Sequence, residues 1–169
     1  MKEAYRHAYA LRQAATEVGA LLIVNDRCDL AMAVDADGVH LGQEDLPIAY
    51  ARQLMGPDKI IGLSTHSMAQ VREVITGEPD YIGFGPIFST STKTDHDPVV
   101  GLEGLRAVRS LTTLPLFAIG GITAERSSKV MAAGADGVAV IAAILTAPDL
   151  GAAIRNFQQS LAIPDRRDP

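Results

Sequence analysis

Residues 21–45 read LLIVNDRCDLAMAVDADGVHLGQED, and two short apolar runs in this stretch predict how the chain folds. The runs cover residues 21–24 and 38–41, and each one stops at a cluster of Asn, Asp, Gly or Gln residues. Short β-branched runs that stop in this way are typical of buried strands leading into loops. The residues between the runs leave room for one short helix, so the two strands are predicted to be parallel neighbours.

Two acidic residues follow these predicted strands. Asp26 comes directly after the first run, beside Asn25, and Asp45 closes the polar cluster at residues 42–45. Because the carboxyl ends of parallel strands meet at one edge of a sheet, both carboxylates are expected at the same edge. Paired carboxylates are hard oxygen ligands that suit Mg²⁺ carrying substrate phosphates. The sequence therefore predicts a magnesium site formed by Asp26 and Asp45.

Strand and helix patterns alternate along the rest of the chain. The chain opens with helical spacing at residues 2–18, and Gly19 stands where a helix is expected to end. The predicted strands cover residues 21–25, 38–41, 60–64, 81–87, 115–119 and 137–142. Helices are predicted after each strand, at residues 29–34, 47–54, 67–76, 102–111, 123–133 and 148–161.

A similar phrase precedes three of these strands. It reads VDADGVHL, EPDYIGFG and AGADGVAV, and its acids are Asp37, Asp80 and Asp136. Strand–helix repetition with near-continuous apolar strands predicts an α/β fold, in which helices cover a parallel sheet. A barrel and an open sheet both fit this pattern. The polar residues that follow every strand favour the barrel, since a barrel carries its site at that end.

The composition is that of an ordinary acidic globular protein. The 169 residues are 47% hydrophobic and 21% charged, with a net charge of -5. One domain is expected over residues 1–163, followed by a polar tail at residues 164–169. The chain has no basic block, no apolar run of about 18 residues and no signal-peptide pattern, which argues against nucleic acid and membrane partners and favours a cytoplasmic location. Cys28 is the only cysteine, so no internal disulfide is expected.

Two polar loops are candidates for phosphate binding. The first, GFGPIFSTSTK at residues 83–93, offers hydroxyls, backbone N–H groups and Lys93, although a plain polar loop fits the same composition. The second contains Gly120-Gly121, where glycine lets the backbone approach an anion, although a plain tight turn fits this pair too. Barrels often bind phosphate after their last two strands, and residues 141–144 would then form the other wall.

Histidines at strand ends give weaker signals. His40 ends one predicted strand, and Ser64, Thr65 and His66 end another. A lone histidine in such a place is more often structural than catalytic, and no Ser-His-Asp order or metal-binding spacing stands out. The chain also lacks an obvious nucleophile–base pair, which favours chemistry driven by a metal ion and by phosphate binding.

Five segments in chain order resemble the thiamine-phosphate synthase family. They are IVNDRCDLAMAVDADGVHLGQEDLP, IIGLSTHS, DYIGFGPIFSTSTK, FAIGGIT and GADGVAVIAAI. The pair NDR and DGVHLGQEDLP is highly specific, whereas the IGGI segment occurs in many phosphate-binding barrels. The resemblance implies a TIM (β/α)8 barrel. It also implies a transferase of thiamine biosynthesis that uses Mg²⁺ to join hydroxymethylpyrimidine diphosphate to a thiazole phosphate, releasing pyrophosphate.

The same resemblance implies a role for each matching residue. Asp26 and Asp45 would hold Mg²⁺ on the pyrophosphate, with Asn25 beside them. Ser64 and Lys93 would bind the pyrimidine diphosphate. The thiazole phosphate would be bound by Thr90, Ser91, Thr92, Gly121, Ile141 and Ala142. The family reaction is dissociative, so no side chain is expected to act as a covalent or acid–base catalyst.

This sequence departs from the family pattern in two places. Ala142 stands where the family usually has serine, so one hydroxyl contact to phosphate is absent. Family members also carry two strands ahead of the opening helix, the second with a basic cluster that grips the diphosphate. The six βα units here are therefore expected to form an incomplete barrel whose open edge, at residues 21–25, favours homo-oligomers. The 169-residue chain alone is expected to have little activity.

Three hypotheses follow from the residues and the resemblance. The chain is an active synthase whose missing units come from another chain or from upstream residues, or it is an impaired homologue that only binds thiazole phosphate or pyrophosphate. The third hypothesis is an isomerase resembling the thiazole tautomerases. Asp26, Asp45 and Lys93 argue against the isomerase, because an isomerase needs no grip on a magnesium diphosphate.

Overall fold

The computed structural model describes residues 2–90 and 98–161 of the chain, and the following elements are those of the described residues. The strands are β1 (Ile23–Asn25), β2 (Gly38–Leu41), β3 (Ile60–Thr65), β4 (Tyr81–Phe84), β5 (Leu116–Ile119) and β6 (Gly137–Ala139). The helices are α1 (Lys2–Val18), α2 (Cys28–Ala33), α3 (Ile48–Met55), α4 (Met68–Val74), α5 (Gly101–Arg109), α6 (Ala124–Ala132), α7 (Ala142–Leu145) and α8 (Leu150–Leu161). A single 3-10 turn, Ile75–Gly77, follows α4.

The six strands form one sheet in the order β1-β2-β3-β4-β5-β6. Pairing is parallel between β1 and β2, between β2 and β3, and between β5 and β6. Strand order that follows chain order, with a helix on each crossover, is the pattern of βα repetition. The predicted α/β fold with six parallel strands is therefore confirmed.

The chain divides into two compact units. The first contains residues 1–65 and 73–82, and its core includes the fully buried side chains of Val39, Leu41 and Ile61 on β2 and β3. The second contains residues 66–72 and 83–169. Its core includes the fully buried Leu105 and Val108 of α5, Leu116 of β5 and Val130 of α6.

Helix α1 ends as its sequence predicts. Its composition is dominated by good helix formers, and Gly19 follows the last helical residue with a φ of 66°. The Gly19 N–H donates to the Thr16 carbonyl at 3.3 Å, and the Ala20 N–H donates to the Ala15 carbonyl at 2.9 Å. This pair of bonds is a Schellman motif, which needs a left-handed residue and so favours glycine.

Three strand ends differ from the predicted ones by two or more residues. β1 begins at Ile23 because the backbone groups of Leu22 are hydrogen-bonded by Asp37 instead. β4 ends at Phe84 rather than at residue 87, since Pro86 has no N–H to continue a ladder. β6 ends at Ala139 rather than at residue 142, and Ala142 begins the short helix α7. A short apolar run is equally compatible with strand and helix, which explains the error at residue 142.

The start of α6 agrees only partly with the prediction. Thr123 is the N-cap residue, with extended φ and ψ, but its side chain makes no capping hydrogen bond to the helix backbone. Its hydroxyl is hydrogen-bonded to Glu125 instead and lowers the pKa of that carboxyl group. Thr123, the first residue of the predicted helix, is therefore the N-cap residue, and its hydroxyl does not cap the helix backbone.

In residues 2–90 and 98–161, no helix has both the length and the apolar composition needed to cross a bilayer.

Candidate functional site

Asp26 lies directly after β1 in an uncommon backbone conformation. Its φ is 63°, in the left-handed region, where Asp is among the few side chains found regularly. The Asp26 N–H donates to the His40 carbonyl at 2.8 Å, and the next N–H, of Arg27, turns back to the Asn25 carbonyl at 2.8 Å. The chain therefore turns sharply at the end of β1 and leaves the Asp26 side chain exposed at the carboxyl edge of the strand.

Asp45 lies in a tight turn after β2. Its Oδ2 accepts the Gly42 N–H at 2.6 Å, and its own N–H donates to the Gly42 carbonyl at 3.4 Å. These two bonds fix the carboxylate at the end of β2, where it is partly buried. Since β1 and β2 are adjacent and parallel, Asp26 and Asp45 follow the carboxyl ends of neighbouring strands, as the sequence predicts.

The donor chemistry of this edge fits magnesium. In the described part of the chain, no group of three or more His, Cys, Asp or Glu side chains is arranged to hold a metal ion. A site built from two carboxylates does not need such a group, because Mg²⁺ keeps several positions for water and phosphate oxygens. Asp26 and Asp45 would be the protein ligands of such an ion.

Ionisable residues close to Asp26 in sequence have pKa values that are shifted by neighbouring charges and by burial. Arg27 binds Asp29 through two contacts, Nε to Oδ1 at 2.7 Å and Nη2 to Oδ2 at 2.5 Å. This pairing lowers the pKa of Asp29 to about 2. Burial raises the pKa of the Cys28 thiol, and the carboxylates of Asp29 and Asp45 raise it further. A buried protonated thiol is a poor metal ligand, so Cys28 is not a candidate ligand beside Asp26.

Ser64, near the end of β3, is held from two sides. Its hydroxyl oxygen lies 2.8 Å from Nε2 of His40, and its carbonyl accepts the side-chain N–H of Gln43 at 2.6 Å. The other ring nitrogen of His40, Nδ1, lies 2.9 Å from the hydroxyl of Tyr81. Sequence reasoning missed Gln43 and Tyr81, although the position of Gln43 within the specific DGVHLGQEDLP segment was a signal.

Gly120 and Gly121 follow β5 with positive φ values of 86° and 65°. The loop after β4 runs beside them, because the Ile87 N–H donates to the Ile119 carbonyl at 2.8 Å and the Phe88 N–H donates to the Gly120 carbonyl at 3.1 Å. A Cβ on Gly121 would lie 2.5 Å from the Ser89 carbonyl oxygen. The structure thus brings Gly121 against the loop that continues to Thr90.

The remaining predicted residues fall in three places. Thr90 is partly buried at the end of the described part of its loop. Ser91, Thr92 and Lys93 lie outside the described residues. Ile141 is the residue before α7 and Ala142 is its first residue, and both are exposed.

Sequence reasoning also missed a cation beside Gly121. The guanidinium carbon of Arg126 lies 4.7 Å from the centroid of the Phe88 ring. Its Nη1 donates to the Gly121 carbonyl at 3.0 Å. The cation–π contact and the hydrogen bond hold a positive charge next to the glycine pair. The helical position of Arg126 gave no indication of this contact, because Phe88 is far away in sequence.

Comparisons with known proteins give the family. A sequence model of the family described as Thiamine monophosphate synthase matches residues 1–144. A curated thiamine-phosphate synthase of Chloroflexus aurantiacus is 43% identical over 166 residues, which cover 98% of this chain and 76% of that protein. The chain belongs to the thiamine monophosphate synthase family. The Moorella thermoacetica member of this family is 47% identical over 150 residues, covering 89% of this chain and 71% of that protein.

Solved structures agree with the family assignment. Thiamine phosphate pyrophosphorylase from Pyrococcus furiosus superposes with a TM-score of 0.86 at 40% identity, covering 94% of this chain and 76% of that one. A 3-hexulose-6-phosphate synthase superposes with a TM-score of 0.69 at 20% identity, which shows the fold alone. The predicted TIM-barrel fold family is confirmed, and so is the resemblance of the sequence to the thiamine-phosphate synthase family. As a thiamine monophosphate synthase family member, the chain is a transferase of thiamine biosynthesis.

Proposed function

We propose that this protein joins hydroxymethylpyrimidine diphosphate to a thiazole phosphate, giving thiamine phosphate and pyrophosphate. The observation that carries the proposal is the placement of Asp26 and Asp45 after the carboxyl ends of two adjacent parallel strands. Two carboxylates at one sheet edge suit a magnesium diphosphate, and the family members named above are thiamine-phosphate synthases.

The diphosphate side of the reaction belongs to β1, β2 and β3. Asp26 and Asp45 would hold Mg²⁺, with Asn25 beside them, and Ser64 would donate its hydroxyl hydrogen to the pyrimidine diphosphate. Lys93 would add a positive charge to the same substrate. Bound Mg²⁺ would supply positive charge that stabilises the pyrophosphate leaving group. The carboxylates fix where that charge lies, which is the contribution of this chain's own residues.

The thiazole phosphate side belongs to the loops after β4, β5 and β6. Thr90, Ser91 and Thr92 would provide hydroxyl and backbone donors, and Gly121 lets the backbone approach the phosphate. Ile141 and Ala142 would supply backbone N–H groups only, because alanine has no hydroxyl. The charge of Arg126 beside Gly121 supports an anion in this region.

The chemistry needs no covalent bond to the protein. The bond between the pyrimidine methylene carbon and the pyrophosphate oxygen breaks first, and pyrophosphate takes the electron pair. The thiazole nitrogen then forms the new carbon–nitrogen bond to the pyrimidine carbocation. The protein positions the two substrates and stabilises the leaving anion, which are the largest contributions available to a dissociative transfer.

The proposal is tested by measuring thiamine phosphate and pyrophosphate formed from the two substrates and Mg²⁺. We expect equimolar products at the low turnover predicted for this chain, and a further loss of kcat/KM of about a hundredfold or more in Asp26→Asn and Asp45→Asn, as for removal of a group that stabilises transition-state charge. Asp29→Asn and Glu44→Gln are matched controls, since Asp29 lies in the first turn of α2, Glu44 lies in the turn beside Asp45, and neither acid has an assigned role in binding. Absence of both products at every magnesium concentration would overturn the proposal.

A further inference from the structure

Three side chains from adjacent strands form a continuous hydrogen-bonded line across the first unit. The Tyr81 hydroxyl of β4 lies 2.9 Å from Nδ1 of His40, and Nε2 of His40 lies 2.8 Å from the Ser64 hydroxyl. The rings of Tyr81 and His40 also stack, with centroids 5.4 Å apart and planes at 28°. His40, on β2, therefore joins the hydroxyl of Tyr81 to the hydroxyl of Ser64.

Gly62 on β3 makes this line possible. In the parallel register, Gly62 is the residue opposite His40. A Cβ at Gly62 would lie 2.0 Å from Cζ and 2.3 Å from Cε1 of Tyr81, so any other residue would occupy the space of the tyrosine ring. The glycine thus opens a gap in the middle strand, and the Tyr81 ring fills that gap and reaches His40.

The chemistry of the three groups sets the direction of the hydrogen bonds. A neutral imidazole has one N–H donor and one acceptor nitrogen, so only two directions satisfy both contacts. A phenol is far more acidic than an aliphatic hydroxyl and is therefore the better donor to imidazole. Burial raises the pKa of Tyr81 to about 12, so the phenol keeps its hydrogen. The Tyr81 O–H then donates to Nδ1, and the Nε2 hydrogen of His40 donates to Ser64.

We propose that Tyr81 and His40 are positioning residues that turn the Ser64 hydroxyl into a donor for the bound substrate. With the oxygen of Ser64 accepting from His40, its own hydrogen points away from the ring and toward an acceptor atom of the pyrimidine diphosphate. The Gln43 bond to the Ser64 carbonyl fixes the backbone of the same residue. This inference rests on the proposed function only for the identity of the substrate.

The hydrogen-bonded line of Tyr81, His40 and Ser64 is called the relay below. The direction of its hydrogen bonds can be tested without turnover. Nitrogen NMR of the imidazole in the substrate-free protein distinguishes the two tautomers, and His40→Asn assigns the His40 signals among the four histidines. We expect the hydrogen of His40 on Nε2 in the unchanged protein and a shift toward a mixture of tautomers in Tyr81→Phe. A hydrogen on Nδ1 in the unchanged protein, or an unaltered tautomer in Tyr81→Phe, would overturn the relay.

Kinetics test the effect of the relay on substrate binding. We expect Tyr81→Phe to lower kcat/KM for the pyrimidine diphosphate about tenfold, the effect of one lost hydrogen bond, and to leave KM for the thiazole phosphate unchanged. The double variant Tyr81→Phe/Ser64→Ala should be no slower than Ser64→Ala, because both changes remove the same donor. Additive losses would overturn the positioning role. Tyr50→Phe, which changes an exposed tyrosine of the same unit, is the control.

The two experiments separate failure of the relay from failure of the proposed function. If the chain makes no thiamine phosphate but shows the expected His40 tautomer, the relay is supported and the proposed function is overturned. If the chain makes thiamine phosphate but His40 has the opposite tautomer, the proposed function is supported and the relay is overturned. Urea unfolding of Tyr81→Phe checks that the variant is folded in both cases.

Discussion

Asp37 holds both backbone hydrogen-bonding groups of Leu22. The Asp37 N–H donates to the Leu22 carbonyl at 3.0 Å, and the Asp37 Oδ2 accepts the Leu22 N–H at 2.7 Å. The same oxygen binds Nη1 of Arg12 at 2.7 Å. Asp37, which directly precedes β2, thereby binds both the residue before β1 and the helix α1.

The same arrangement occurs twice more. Asp80 binds both backbone groups of Ile61 and also Arg52 of α3, with its N–H to the Ile61 carbonyl at 2.9 Å and the Ile61 N–H to its Oδ2 at 2.7 Å. Asp136 does so with Leu116 and with Arg109 of α5, at 2.8 Å for each of its three contacts. The acid in the recurring phrase therefore links three elements: the start of one strand, the next strand, which the acid precedes, and the helix before the first strand. This arrangement is called a clamp below.

Removal of such a clamp is expected to destabilise the fold. We predict that Asp37→Ala lowers the free energy of unfolding by about 2 kcal/mol, because a charged acceptor of two hydrogen bonds is lost and the Leu22 N–H loses its partner. The loss should be smaller for Asp136→Ala, since the side chain of Asp136 is 52% exposed and that of Asp37 is 31% exposed. Urea unfolding followed by circular dichroism measures both values.

Glu103→Ala is the control for this series. Glu103 pairs with Arg106 on the surface of α5 at a distance of 2.5 Å, and its side chain is 91% exposed. A surface pair of this kind is worth between nothing and about 1 kcal/mol. If Glu103→Ala destabilised the protein as much as Asp37→Ala, the backbone contacts of Asp37 would not be the source of its contribution.

The Asp37 clamp should also be sensitive to acid. The Leu22 N–H, followed by the Arg12 guanidinium, lowers the pKa of the Asp37 carboxyl below its ordinary value of 3.8. A pKa that is lower in the folded than in the unfolded state stabilises the fold above the unfolded pKa, and this stabilisation is lost as the pH falls through the folded value. The contribution of Asp37 is thus complete at neutral pH and decreases below about pH 4.

The variant Asp37→Asn tests this pH dependence. We expect the difference in unfolding free energy between the unchanged protein and Asp37→Asn to be constant from about pH 7 to pH 5 and to shrink below about pH 4. Urea unfolding repeated across this range gives the difference directly. A difference that stays constant down to pH 2.5 would contradict the lowered pKa of Asp37.

Gly121 should tolerate substitution far less than Gly19. The φ values of the two residues are nearly equal, 65° and 66°, so alanine carries the same backbone strain of about 1 kcal/mol at either place. A Cβ at Gly19 meets no atom within 4 Å, whereas a Cβ at Gly121 would lie 2.5 Å from the Ser89 carbonyl oxygen and 2.7 Å from that of Phe88. We predict losses of about 1 kcal/mol for Gly19→Ala and above about 3 kcal/mol for Gly121→Ala.

Kinetics of the same pair test the thiazole phosphate side. If the loop at Ser89 is displaced, KM for thiazole phosphate should rise in Gly121→Ala at a temperature where the variant is folded. KM for the pyrimidine diphosphate should remain unchanged, and Gly19→Ala should alter neither value. An equal rise of both KM values in Gly121→Ala would indicate a general loss of structure instead.

The sequence predicts the parts of this molecule that depend on local pattern. The bounds of β2 and α1 agree with the predicted ones, since alternation of apolar runs with Gly-terminated helices is local information. For Asp37, the sequence shows only that an acid recurs before three strands. It does not predict the contacts of this acid, because its partner Arg12 lies 25 residues away. The same is true of Tyr81 and His40, which are 41 residues apart and meet only when three strands pair.

The lone cysteine reports on the loop that carries Asp26. Cys28 is 6% exposed, and burial together with Asp29 and Asp45 raises the pKa of its thiol. Both effects oppose attack by a thiolate on a disulfide reagent. We predict that the native protein reacts with an aromatic disulfide reagent about a hundredfold or more slowly than the urea-unfolded chain, since the reaction needs local opening. The colour of the released thiolate measures the rate.

A second thiol in an exposed position calibrates this rate. The variant Cys28→Ala/Ser128→Cys carries its single thiol on the exposed face of α6, and we expect it to react in the native state about as fast as in urea. Magnesium and pyrophosphate added together should slow the reaction of Cys28 further, because ligands bound at the proposed site of Asp26 and Asp45 would stabilise the folded loop. Rapid labelling of Cys28 in the native protein would contradict the burial of the thiol at the start of α2.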